Sequence, residues 1–312
     1  MLGYLVRRLA GMVPILIGTT FLIFAAVYAL PGDPILALAG PDQVVSESMR
    51  AELSARYGLD QPLLMQYWNY LSGLFVGDFG IDLRGVEVST LISRAWPYTV
   101  VLGLTAWAIM AVAGVALGTL AGMRAGGPAD WTVLGTTTLL VGVPYFVVAY
   151  VSQIVFGLQL GWLPTSGVRA GWPISYLLPA TCMAMLAIPE LARLTRTSIA
   201  ENRSADYVST AVAKGLSRRR VALRHVLRNS LVPVVSVLGL SLGGLLGGSV
   251  LTEGIFNIPG LGHLMFTAIN QHNGPVIVGV GTLLVLVFLA VNLIIDLLYG
   301  LLDPRISLAR QN

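Results

Sequence analysis

Residues 206–233 read DYVSTAVAKGLSRRRVALRHVLRNSLVP, a basic segment broken by one glycine and set between stretches too apolar to be anything but membrane spans. Nine of the nineteen Lys and Arg residues fall between Arg193 and Arg228: Arg193, Arg196, Arg203, Lys214, Arg218, Arg219, Arg220, Arg224 and Arg228. That density assigns the segment to the cytoplasmic side of a membrane. The pattern predicts two helices. The first is capped by Ser204 and runs through Lys214, and Gly215 supplies a left-handed stop. Ser217 caps the second, which runs to about Asn229 with Val221, Leu223, Val226 and Leu227 as apolar contacts. A solvated amphipathic loop on anionic lipid would explain the arginines but not the sharp Gly215-Leu216-Ser217 break.

Composition agrees. Of the 312 residues 55% are hydrophobic and 11% charged, against roughly 45–50% and 25% in a soluble domain. The chain therefore reads as one multi-span domain over 1–312, not two soluble ones. Its excess charge of +4 is gathered at one membrane face, so nucleic acid is no partner. The single cysteine, Cys182, excludes an internal disulfide and a cysteine-based metal cluster.

A helix needs about 20 apolar residues to cross the hydrocarbon. Charge-free runs place six spans near 9–30, 97–122, 132–157, 174–195, 229–251 and 275–301. Unpaired backbone groups are not tolerated in lipid, so the spans are helical and the fold is all-α. The first follows Arg7-Arg8 and is too long for a signal-peptide core. Alternation from a cytoplasmic N-terminus leaves fourteen basic residues inside and five outside (Arg50, Arg56, Arg84, Arg94 and Arg169), so both termini are expected to be cytoplasmic. Gly114-x-x-x-Gly118-x-x-x-Gly122 and Gly239-x-x-x-Gly243-x-x-x-Gly247 allow close helix approach. The second series serves either packing or the lining of a pore.

Three segments are not simple spans. Residues 31–96 form a large extracytoplasmic loop opening with Pro31-Gly32-Asp33-Pro34. Helices are expected over 46–57, stopped by Gly58, and from Pro62 to Leu74, where Leu63, Leu64, Tyr67, Trp68 and Leu71 make an apolar stripe. That stripe lies in the membrane interface or docks a soluble partner. Residues 199–228 are the cytoplasmic loop. Residues 252–274, with Glu253 to Gly262 reading EGIFNIPGLG, form an extracytoplasmic hook over the outer mouth. Glu253, Phe256, Pro259 and Gly260 are its candidate residues. Glu253 either anchors the hook or meets the cargo.

In order, Tyr4 to Arg8, Pro31 to Pro34, Tyr57 to Pro62, Gly77-Asp78-Phe79-Gly80, Arg193 to Arg196, Asp206 to Pro233, Glu253 to Gly262 and Asp303-Pro304-Arg305 resemble a permease subunit of type I ABC importers. The branch is the dipeptide/oligopeptide/nickel one, on the side of the pair with the large first loop, and the resemblance covers essentially the whole chain. It identifies 199–228 as the coupling loop, with Asp206 to Pro233 as the stretch that resembles the EAA loop. With the loop's glycine on Gly215, only Ala211, Gly215 and Leu227 match the general pattern, while Ala213 to Ser217 carries the branch's own Ala-Lys-Gly-Leu-Ser core. The resemblance implies ATPase coupling through Asp206, Tyr207, Val208, Ala211, Val212, Lys214, Gly215, Leu216 and Ser217. It further implies a second homologous permease chain, two ATPase subunits carrying ATP and magnesium, and an extracytoplasmic binding protein, in a bacterial inner membrane. Short peptides are the expected cargo; nickel chelates, glycosides and haem are the alternatives.

The only lysine, Lys214, is not in a Gly-x-x-x-x-Gly-Lys-Ser/Thr loop, so ATP and magnesium are expected on partners and no cofactor on this chain. His225, His263 and His272 lack metal-ligand spacing, and no Ser/His/Asp set gathers on one face, so no catalytic or metal site is expected. Asp296, near the cytoplasmic end of the sixth span, is expected to bond a neighbouring helix or a basic residue, and Glu190 to pair near the inner interface. An ion-coupled secondary transporter, with these carboxylates as proton carriers, is the competing class. Its paired inverted repeats are missing from the sequence.

Overall fold

Helices dominate the computed structural model, which describes residues 2–28, 46–48, 51, 54, 60–247 and 249–302. In chain order they are α1 (Leu2–Tyr28), α2 (Leu63–Leu74), α3 (Val88–Met123), α4 (Pro128–Gly142), α5 (Tyr145–Gln159), α6 (Ile174–Met185) and α7 (Ile188–Arg203). There follow α8 (Asp206–Ala213), α9 (Arg218–Gly247), α10 (Val250–Phe256), α11 (Leu261–Asn270) and α12 (Gly274–Leu302). Most of the helix expected over 46–57 lies outside the described residues. So do the Pro31–Pro34 and Tyr57–Leu59 runs and Asp303–Arg305.

Four helical stretches are long and apolar enough to cross a membrane unaided: Val6–Tyr28, Val88–Met123, Arg218–Gly247 and Gly274–Leu297. The third and fourth expected spans are bent pairs, α4–α5 by 100° and α6–α7 by 58°. Proline accounts for both breaks. Pro144 precedes α5 and Pro189 stands in the first turn of α7, where a missing N–H and a fixed φ suit a helix start but not a helix interior. Counting each pair as one span gives six.

The chain divides into two compact units, 1–99 with 257–312, and 100–256. In the first, α1 and α12 are joined at one end by an Arg8–Asp296 ion pair. Asp296 thus has the basic partner expected of it. Farther along, Phe24, Tyr67 and Val278 form a core with Phe21, Tyr70 and Leu71, which seats α2 on both helices. A second core gathers Val88, Ile92 and Ala95 of α3 with Leu261, Ala268, Val276 and Val280. Gly279 makes that closeness possible, since a Cβ there would stand 2.7 Å from Val88 and 3.2 Å from the carbonyl of Phe79.

In the second unit the first glycine series is a packing seam. A Cβ on Gly114 would meet Leu191 at 2.7 Å, one on Gly118 the Ala192 carbonyl and Thr195 at 2.5 Å, and one on Gly122 the Arg196 carbonyl and Ile199 at 2.8 Å. Lipid supplies no hydrophobic drive between helices, so such close backbone contact is what holds α3 to α7. The second series differs at its end, because Gly247 has nothing within 4 Å of an added Cβ. Asp130, buried at the start of α4, takes a bidentate grip on Arg196 of α7 at 2.9 and 2.7 Å and also accepts from the Gly126 amide at 2.8 Å.

Candidate functional site

The arginine-rich segment folds as a hairpin. α7 ends at Arg203, and Ser204 closes it, its hydroxyl donating to the Glu201 carbonyl at 2.9 Å. Ser204 is therefore not the cap of the next helix, as its sequence position led us to expect. A serine hydroxyl that bonds back to the preceding turn is unavailable to the following one. Ala205 stands at the N-cap of α8 instead, and Asp206 opens that helix with a negative charge at its positive end.

Gly215 ends α8 with φ +79°. Its amide donates to Val212 at 2.9 Å, and the Leu216 amide reaches back to Ala211 at 3.3 Å, the double return that a left-handed glycine permits. Ser217 then takes the extended backbone of an N-cap without a side-chain bond, and α9 begins. The second helix does not stop near Asn229. It passes through a π-helical turn at Ala222–Leu227 and continues to Gly247, so the hairpin's second arm is the foot of a membrane span.

The hairpin is seated by its own core: Ile199 of α7, Ala211 of α8, and Val221 and Val226 of α9 are buried, with Val208, Leu216 and Leu227 packed against them. Reciprocal hydroxyl-to-carbonyl bonds between Ser198 and Ser230, at 3.0 and 3.1 Å, lock α7 to α9 just above. Of the nine residues expected to couple, Val208, Ala211 and Leu216 thus turn inward. Ala211, offered by the sequence as an outward contact, is 7% exposed. Asp206, Tyr207, Val212, Lys214, Gly215 and Ser217 stay exposed, as do Arg218, Arg219 and Arg220 at the start of α9.

The hook resolves into α10 and α11. Glu253 and Phe256 are 0% and 1% exposed, so Glu253 belongs to the packing of α10 and not to an open mouth. The Phe256 carbonyl accepts from the Gly167 amide at 2.8 Å, and Tyr145 bonds Thr252 at 2.6 Å. Beyond the turn at Asn257, where φ is 50°, Pro259 is exposed while Ile258, Gly260 and Leu261 are buried. Thr99 fixes α11, accepting from the Leu261 amide at 2.8 Å. Glu190 also departs from expectation. It is exposed in the first turn of α7 and makes no ion pair among the described residues, because the acid that pairs with α7 is Asp130. The sequence signal for Asp130 was weak: an acid three residues into a helix that starts at Pro128, with its partner 66 positions away.

Residues 114–308 match the family described as "binding-protein-dependent transport system inner membrane component", and residues 1–102 match that family's N-terminal component. The chain belongs to the ABC importer permeases. It is a multi-pass inner-membrane subunit. The permease is 38% identical over 310 residues to the glutathione transport system permease protein GsiC of Escherichia coli (strain K12), covering 98% of this chain and 99% of that one. The same protein of Shigella flexneri serotype 5b is 38% identical over the same coverage. Among solved structures, a chain of "an amino acid ABC transporter with histidines" superposes with a TM-score of 0.50 at 15% identity, over 70% of this permease and 94% of that chain. That likeness concerns the fold alone.

Proposed function

We propose that this permease forms half of a translocation path for di- or oligopeptides and opens it alternately to the two sides of the membrane. A second homologous permease completes the path, two ATPase subunits bind ATP with magnesium, and an extracytoplasmic protein delivers the cargo. The termini and 199–228 face the cytoplasm, while 31–96 and 252–274 lie toward the opposite side, in the outer half of the membrane or beyond it. One observation carries this reading: the Gly215 hairpin is seated by buried apolar residues and continues without a break into span α9. A partner gripping its outward face would therefore move a membrane helix. The open face of α7 is consistent with half a path. It presents Glu190 and Arg193 on the side opposite the α3 seam, and charged side chains on a span turn to water or protein, not to lipid.

Peptide cargo follows from the branch resemblance and from relatives named for glutathione transport. The test is uptake into vesicles holding the complete importer and its binding protein. A labelled tripeptide should accumulate, and accumulation should stop on ATP depletion while a proton gradient persists. Uptake that follows the gradient would overturn the coupling. Uptake of nickel chelates, glycosides or haem in place of peptide would overturn the cargo.

A further inference from the structure

Two tyrosines fix the depth of α2. Tyr67 donates to the Ile17 carbonyl at 2.9 Å and shares a 2.8 Å hydrogen bond with the Thr20 hydroxyl. Tyr70 donates to the Thr282 hydroxyl at 2.8 Å. The Arg8–Asp296 pair marks one polar edge on both partner helices, α1 and α12. At a rise of 1.5 Å per residue, Ile17 and Thr20 stand roughly 14 and 18 Å from Arg8, and Thr282 roughly 21 Å from Asp296. The hydrocarbon is about 30 Å thick, so all three points lie inside it. Tilt of α1 or α12 only brings them nearer the marked edge. The backbone of α2 is one tyrosine side chain away.

The rest of α2 fits that depth. Its sequence, LLMQYWNYLSGL, carries no charge. Leu63, Tyr67, Tyr70 and Leu71 pack on α1 and α12. The adjoining face presents Leu64, Met65 and Trp68, the last 64% exposed, and Phe75 and Val76 just past the helix are 88% and 84% exposed. Only a narrow third face is polar. There Asn69 donates to the Gln61 side chain at 2.9 Å, and Gln66 and Asn69 border a 280 Å³ cavity beside Asp78.

We infer that α2 is a re-entrant helix sunk in the membrane half opposite the Arg8–Asp296 pair, with lipid acyl chains covering Leu64, Met65, Trp68, Phe75 and Val76. A soluble partner could reach that face only by entering hydrocarbon. Ile17 and Leu22 of α1 are also apolar and open, 41% and 68% exposed. The segment from 60 to 76 thus braces α1 against α12 from the lipid side, and the polar face around Gln66 and Asn69 looks toward water.

Spin labels on single cysteines at 64, 68, 75, 66 and 69, in a Cys182→Ser background, test this in the assembled importer in phospholipid nanodiscs. Molecular oxygen, which concentrates in hydrocarbon, should broaden the labels at 64, 68 and 75 more than a water-soluble nickel chelate does. The order should reverse at 66 and 69. Chelate-dominated broadening at 64 and 68, or loss of both collisions there when the binding protein is added, would make the face a docking surface and overturn the inference. A second readout keeps the helix unlabelled. The fluorescence of Trp68, taken as wild type minus Trp68→Phe, should be quenched by lipids brominated along the acyl chain; an unquenched contribution overturns the inference as well.

Discussion

Gly215 holds a backbone that other residues resist, and the consequence is measurable. At φ +79° an L side chain is strained, by about 1–2 kcal/mol, although no atom lies within 4 Å of the added Cβ. Gly215→Val should therefore leave the spans inserted but misalign α8 with the foot of α9. ATP-dependent uptake or co-purification of the ATPase should fall, and normal values of both would detach the hairpin from coupling. Asp130 is a different kind of residue. Asp130→Asn removes the charge that faces Arg196 in a partly buried bidentate pair, and losing a charged hydrogen bond of this kind costs about 1.5–3 kcal/mol. The detergent-solubilised chain should melt at a lower temperature, with Arg196→Lys milder because it keeps the charge and loses only the fork. An unchanged melting point in Asp130→Asn would mean the pair contributes nothing to stability.

Helices in this chain meet through small residues, and the two glycine series make opposite predictions. Gly118→Leu drives a side chain into the Ala192 carbonyl and Thr195. Overpacking of this sort costs about 1–3 kcal/mol and should separate α3 from α7, lowering the yield of monodisperse protein. Gly247→Ala meets open space, so the isolated chain should tolerate it within about 0.5 kcal/mol. Equal loss in both variants would refute the distinction. This contrast also marks how far the sequence could be read. The spacing of both series was legible, but which one packs inside the chain depends on the rotation of each helix. Helix α2 was legible from the stripe through Tyr67 and Leu71, yet its depth needed the partners of two hydroxyls. Ser217 and the apolar positions after it suggested a helix ending near Asn229. Instead the helix persists, with Val221 and Val226 packed on Ile199, and runs through Pro233 to Gly247. Pro144 and Pro189 lie inside the expected spans 132–157 and 174–195, and apolar run length alone does not reveal that each marks a bend.

Across the whole molecule, orientation is the property that function demands first. Single cysteines at exposed positions, Arg84→Cys and Gln271→Cys on one side and Arg219→Cys on the other, should separate cleanly in a Cys182→Ser background. The first two should react with an impermeant thiol reagent added to intact cells, and the third only after the membrane is breached. The reverse labelling would invert the chain. Helix α9 then acquires a mechanical meaning. It is 30 residues long, a rod of about 45 Å, and its base is the hairpin. A tilt of about 10° at that base sweeps the far tip sideways by about 8 Å, close to the spacing of roughly 8–10 Å between the axes of packed helices. Moved as a rigid lever, a helix of this length would turn a small rotation at its foot into a displacement of about one helix spacing at the opposite surface.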